Sequence, residues 1–273
     1  MNTNEMEEEA KRELEKAYQA FLPFVIEEQA KVINQFHNPE HPLVIQYAAM
    51  LNLIKQRMVS VKLHLMYCGS DWKTADEELY EDAFVLNKCS VETLEAFEVK
   101  NGIRLPDELK VYLMEIGEDG DDYFCYGGVN LPDKKKITSL KKPFPITPDK
   151  IHNIKHFWGI KAWVFPDDRD WIKEGIFKKQ DDLKSLFGLP GKAKITDGCL
   201  YLGPSHGQNE LYLIMNGAFE GEVWVDTLQY GAEARGCLGT ASAQRLKFLA
   251  FIAESLLARQ QGYTTASDQG AWM

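Results

Sequence analysis

Apolar residues in the first seventy positions recur at helical spacing. Met6, Ala10, Leu14, Ala17, Tyr18 and Phe21 fall three and four apart and mark one helical face. Pro23 predicts a kink or a restart before Val25, Ile26, Val32, Ile33 and Phe36 resume the pattern. His37-Asn-Pro-Glu-His-Pro42 breaks it. A second helix is expected from about Leu43 to Tyr67, with Val44, Tyr47, Ala48, Leu51, Ile54, Met58, Val61 and Leu65 inward and Gly69 as its stop. Two long helices joined by a short Pro-containing turn predict an antiparallel pair.

Shorter helices follow. Thr74-x-x-Glu77 reads as a capping box opening a helix through Phe84 and Leu86. Ser90 is the expected N-cap of a helix that carries Leu94 and Phe97 and stops at Asn101-Gly102. Pro106 at a first helical position, with Asp107 and Glu108 in the electropositive first turn, opens another. Leu109, Tyr112, Leu113 and Ile116 line its inner face, and Gly117 ends it.

After residue 117 the period changes. A strand interrupted by Gly127-Gly128 is expected within Phe124 to Leu131, and a short helix near Gln180–Phe187. Cys199 to Gly203, Glu210 to Met215 and Gly221 to Asp226 read as three strands. They are joined by Pro204-Ser-His-Gly207 and by the strong turn dipeptide Asn216-Gly217, which predicts an antiparallel meander. A last helix, Ser242 to Arg259, buries Leu246, Leu249, Ile252, Ala253, Leu256 and Leu257, and the polar end is read as a frayed tail.

Composition narrows the classes. With 273 residues and 45% hydrophobic side chains, the chain is long enough to bury roughly three quarters of its unfolded surface without staples. Five scattered cysteines (Cys68, Cys89, Cys125, Cys199, Cys237) form no Cys-x-x-Cys pair, so reduced thiols are expected rather than a zinc knuckle or disulfide framework. The acidic N-terminus is the opposite of a signal peptide, and Asn52, Lys55, Gln56, Arg57, Lys62 and His64 interrupt the longest apolar stretch, so a cytoplasmic protein with no membrane span is expected. A net charge of −10 disfavours phosphate backbones and lipid headgroups as direct partners and favours a basic protein. Lys134–Lys136 and Lys141–Lys142 are the basic runs, and short runs of this kind are usually solvated loop.

The sequence carries no recognisable motif for a catalytic residue, a metal site or a cofactor. Ser205-His206 sits in a Gly-Pro-Ser-His-Gly turn, which is no nucleophile elbow, and sequence neighbours do not build a triad. His152 and His156 share an i, i+4 spacing but lack the glutamate of a zinc helix. Glu118-Asp119-Gly120-Asp121-Asp122 lacks the alternating ligands of a calcium loop. Beside Tyr123 it reads as an acidic recognition loop, with carboxylates for steering and an aromatic for anchoring. Asp167, Asp168, Asp170 and Trp171 repeat that mixture. The candidate partner contacts are therefore Glu118, Asp119, Asp121, Asp122, Tyr123, Asp167, Asp168, Asp170 and Trp171.

Leu94-x-x-Phe97-x-x-x-x-Gly102-Ile103-x-Leu105-Pro106-Asp107-x-x-x-x-Tyr112-Leu113 resembles the opening of the SUKH superfamily. Gly198-x-Leu200-x-x-Gly203 and Leu211-x-Leu213-x-x-x-Gly217-x-x-x-Gly221-x-Val223-Trp224-x-Asp226 resemble the central strands of its bacterial immunity-protein branch, and Lys142-Pro-Phe-Pro145 and the terminal helix fit as well. The resemblance implies an α+β domain whose mostly antiparallel sheet has helices packed on one face, here preceded by an N-terminal helical hairpin. The expected organisation is a helical extension over 1–70, the SUKH-like domain over 71–260 and a tail over 261–273. It also implies a non-enzymatic inhibitor of a cognate toxin, with a housekeeping scaffold or regulator as the alternative.

Overall fold

The computed structural model describes residues 3–68, 87–118, 129–132, 136–145, 147–148, 196–204, 210–226, 234–236 and 245–260. Among these the chain forms α1 (Thr3–Val32), α2 (Pro42–Cys68), α3 (Val91–Asn101), α4 (Asp107–Glu115), α5 (Ile137–Leu140) and α6 (Phe248–Gln260). The strands are β1 (Cys199–Pro204), β2 (Glu210–Ile214), β3 (Val223–Asp226) and β4 (Ala234–Gly236). The architecture is α+β.

Helix α1 does not restart at Pro23, which lies inside it on the solvent side. Gln19 is exposed too, so the carbonyl that Pro23 cannot serve is open to water. Asn34, in the left-handed conformation (φ 58°), turns the chain away from α1. Its N–H donates to Asn52 Oδ1 and its Oδ1 accepts from Asn52 Nδ2, both at 3.0 Å. Gln29 Nε2 donates to Ser60 Oγ at 2.6 Å, and Val25 packs with Val59 and Leu63. Partner numbers rise on one helix as they fall on the other, so α1 and α2 are antiparallel.

Helix α2 is buried on two sides. Val59 and Leu63 face α1, whereas Val44, Leu51, Ile54, Met58 and Val61 enter the main core with α3, α4, α6 and the sheet. A helix apolar on more than one face belongs inside a protein, and α2 shares the main core while α1 packs against it in a separate small cluster. Helix α4 is enclosed further still. The expected inner face, Leu109, Tyr112, Leu113 and Ile116, is buried, and so are Val111, Met114 and Glu115.

The sheet order is β1-β2-β3-β4, antiparallel throughout, so the expected meander holds and gains β4, which no sequence pattern marked. Leu200, Leu213 and Val223 are in register and enter the main core beside helical residues. Tyr201, Tyr212 and Trp224 form the opposite row, as the period of two requires. Phe144 and Phe219 cover Trp224, each with its ring centroid 5.2 Å away.

Helix α6 begins at Phe248 rather than at Ser242. Residues just ahead of it are extended instead: Lys247 bridges Glu222, Val223 N–H donates to Leu246 O at 3.1 Å, and Phe248 N–H donates to Gly221 O at 2.9 Å. Pairing with β3 outcompetes another helical turn here. No helix among the described residues is long and apolar enough to cross a membrane. The helices expected at 74–86 and 180–187 lie outside the described residues, as does most of the strand expected between Phe124 and Leu131.

Candidate functional site

Helix α3 starts on Ser90, whose side chain accepts the Thr93 N–H at 3.2 Å, and it ends at Gly102. Gly102 adopts the left-handed conformation (φ 58°, ψ 44°) that terminates helices without a Cβ penalty. The Ile103 N–H then reaches back to Glu98 O at 3.3 Å. Glu98 Oε1 accepts the Leu105 N–H at 2.6 Å and pairs with Lys110 at 3.6 Å. One glutamate thus fixes the whole connection from α3 to α4. Pro106 caps α4, which begins one residue later than its expected start.

A second segment is locked onto the sheet opposite this connection. Asn216 Oδ1 accepts the Phe144 N–H at 2.9 Å, and its Nδ2 donates to Leu140 O at 2.9 Å and Lys142 O at 3.0 Å. Gly198 lies beneath the same segment with φ 71°. A Cβ there would meet Lys142 O and Phe144 N at 2.8 Å, so only glycine permits the approach. The Asp197 carboxylate accepts from Lys142 Nζ at 3.1 Å and from Ser139 Oγ at 3.3 Å.

Between these two pieces runs a cleft of about 320 Å³, lined by Gly102, Ile103, Arg104, Leu140, Lys141, Met215, Asn216 and Glu220. Its size is at the small end for ligand sites. Ile103, Leu140 and Met215 supply apolar surface, and Arg104, Lys141 and Glu220 supply charge. Arg104 pairs with Asp107 at 3.3 Å while its side chain stays 70% exposed. The Lys141 ammonium lies 3.6 Å from the point that a Gly102 Cβ would occupy. The polar groups of the lining are the guanidinium of Arg104, the ammonium of Lys141, the amide of Asn216 and the carboxylate of Glu220.

Of the residues singled out in the sequence, Glu118 is described, and its carboxylate serves the fold. Glu118 pairs with Asn87 in an isolated bridge, donating its N–H to Asn87 O at 2.8 Å, and its Oε1 accepts the Leu131 N–H at 2.9 Å. Asp119, Asp121, Asp122, Tyr123, Asp167, Asp168, Asp170 and Trp171 lie outside the described residues, as do Ser205, His206, His152 and His156. The basic runs separate: Lys136 sits over the Tyr201 ring at 5.5 Å, Lys142 binds Asp197, and Lys141 enters the cleft.

No local pattern in the sequence groups Arg104, Lys141, Asn216 and Glu220. Gly102 and Asn216-Gly217 were visible as a helix stop and a turn, but nothing local announced that the two meet. Among the described residues no group of three or more histidine, cysteine, aspartate or glutamate side chains is arranged to hold a metal ion. Comparison with protein-family models, with curated proteins and with solved structures returns no match to this chain.

Proposed function

We propose that the chain is a non-enzymatic binding protein of the SUKH immunity type, which neutralises a basic toxin inside the producing cell by direct contact. One observation carries the reading. The Gly102-Ile103-x-Leu105-Pro106 connection, the Lys142–Pro145 segment and the Asn216-Gly217 turn come from three distant stretches and also carry the resemblance. In the fold, Gly102, Ile103 and Arg104 of the first, Leu140 and Lys141 just ahead of the second, and Met215, Asn216 and Glu220 at the third line one open cleft, while the Asn216 side chain holds Lys142 and Phe144. The net charge of −10 supports the partner's sign, because an acidic surface accelerates encounter with a basic protein and repels nucleic acid. The acidic stretches 118–122 and 167–170 are the proposed steering groups.

The test is a pull-down of the full-length tagged protein from its native host with the candidate toxin gene expressed, repeated across a salt series. One abundant basic partner, released as salt rises, is the expected result. Recovery of housekeeping proteins alone overturns the toxin reading in favour of a cellular scaffold.

A further inference from the structure

We propose that Asn216-Gly217 is a self-modification site. Its asparagine deamidates by attack of the following backbone nitrogen, the docked 140–144 segment sets the rate, and the product lets go of that segment. The inference is independent of the binding function proposed above.

The chemistry needs an unhindered backbone nitrogen next to an asparagine, which makes Asn-Gly the reactive pair. The chain has two such pairs, Asn101-Gly102 and Asn216-Gly217. Folding makes them unequal. The Gly102 N–H caps α3 by donating to Val99 O at 3.3 Å, and Asn101 Nδ2 donates to Phe97 O at 2.9 Å. Nucleophile and amide there are both tied into a helix end. Gly217 is exposed in the turn between β2 and β3, and its N–H donates to no acceptor among the described residues. Its nitrogen is free to react, and only the Asn216 side chain is held.

Three hydrogen bonds do the holding. Asn216 Oδ1 accepts the Phe144 N–H, and Nδ2 donates to Leu140 O and Lys142 O. Bringing Asn216 Cγ onto the Gly217 nitrogen breaks all three. Each is worth a severalfold preference, so together they slow the reaction about tenfold or more. The fold also depends on the pair itself. An amide supplies the acceptor and both donors from one short side chain, and Gly217 sits at φ 86°, where glycine is favoured.

In the reaction the Gly217 nitrogen bonds to Asn216 Cγ, the Cγ–Nδ2 bond breaks, and Nδ2 leaves as ammonia with the Gly217 proton. Water opens the resulting imide at either carbonyl. One product is aspartate at position 216, and the other is an isoaspartate whose main chain runs through the former side chain. Aspartate keeps an acceptor for the Phe144 N–H but turns an oxygen toward Leu140 O and Lys142 O, where two donations stood. Isoaspartate lengthens the turn by a main-chain carbon and displaces the carboxylate. Either product loosens 140–144, and with it Leu140 and Lys141, which line the cleft.

The experiment incubates the full chain at neutral pH, folded or in urea, and follows amide-to-acid conversion at each Asn-Gly pair by digestion and mass spectrometry. In the folded chain Asn216 should convert ahead of Asn101, yet about tenfold or more slower than in urea, where the two pairs should react alike. Lys142→Gln removes an exposed side chain's anchor on Asp197. Gly198→Ala brings a Cβ to 2.8 Å from Lys142 O and Phe144 N. Both variants should speed conversion at Asn216 severalfold and leave Asn101 unchanged. Circular dichroism checks folding, and Lys142→Gln decides alone where Gly198→Ala does not fold. The deamidated fraction, isolated by ion exchange, should be cut by trypsin after Lys141 several times faster than the intact chain. Conversion of Asn101 first, an Asn216 rate equal to that in urea, folded variants with an unchanged rate, or unaltered cleavage after Lys141 overturns the inference.

Discussion

The carboxylate of Glu115, at the end of α4, accepts the backbone N–H of His37 at 2.7 Å, although 78 positions separate the two residues. Its other oxygen accepts the Asn38 N–H at 2.8 Å and Asn38 Nδ2 at 3.2 Å, and Lys55 Nζ lies 3.8 Å away. Lys55 in turn donates to Gln35 O at 2.8 Å and lies over the Phe36 ring at 4.5 Å. A single buried acid thereby ties the turn of the N-terminal hairpin to the middle of the fold.

Loss of that acid is expected to be costly. Glu115→Ala leaves two backbone donors and a nearly buried ammonium without their partner, which should lower stability by about 3–5 kcal/mol. Lys55→Met should cost clearly less, because the carboxylate keeps its N–H donors from 37 and 38. Urea midpoints of the two variants provide the check, and equal losses would show that the ion pair rather than the backbone clamp dominates.

Alkaline stability should carry two opposing signatures. Burial lowers the Lys55 pKa from 10.5 to about 8, with Glu115 opposing the shift and Lys88 adding to it. Between those values the unfolded chain holds a proton that the folded chain has released, so stability from this group rises with pH from about 8 to 10.5. Cys89 acts in the other direction. Burial, with the nearby Glu118 charge, raises its pKa from 9.0 to about 11, so stability is lost as pH climbs through that interval. Unfolding free energies measured from pH 7 to 11 should show Lys55→Met removing the rise and Cys89→Ala removing the fall.

Glu108 caps a helix from outside it. Its Oε2 accepts the Leu249 N–H at 2.7 Å, one of the donors that the first turn of α6 cannot satisfy internally. Burial raises the Glu108 pKa, partly offset by the Leu249 hydrogen bond and by Lys247. Gln at this position keeps an acceptor and removes a buried charge, so Glu108→Gln should be near neutral at pH 7. Glu108→Ala should cost about 0.5–2 kcal/mol, the usual range for a lost cap. Thermal unfolding of the pair separates the cap from the charge.

Asn216 offers the sharpest chemical test of the cleft wall. Asn216→Asp keeps the acceptor for the Phe144 N–H but turns a two-armed donor toward the carbonyls of Leu140 and Lys142 into another acceptor. A loss of about 1–3 kcal/mol is expected. Chemical denaturation at neutral pH reads it, and a fully stable Asn216→Asp protein would mean that the 140–144 segment is held by other contacts.

Much of the element order was legible because it is encoded locally. Ser90 and Gly102 bound α3 by their own side-chain and backbone preferences, and the Asn216-Gly217 turn sets β2 against β3. Errors gathered where another part of the chain intervenes. Helix α6 gives up its first expected turns to pairing with β3 at Lys247, and Pro23 is tolerated because it faces water. The cleft was least visible, since Arg104, Lys141 and Glu220 are unremarkable surface charges until folding brings them together.

By itself the sequence determined the helical hairpin, the α+β class, the antiparallel meander and the acidity of the molecule, because period, turn chemistry and charge are properties of neighbouring residues. Only the tertiary structure decided that α2 lies inside the main core, that Glu115 and Glu108 spend their carboxylates on distant backbone, and that a charged, partly apolar cleft opens beside Gly102. Those outcomes depend on burial, which changes the worth of a hydrogen bond or a charge according to what surrounds it, and no stretch of sequence carries its surroundings with it.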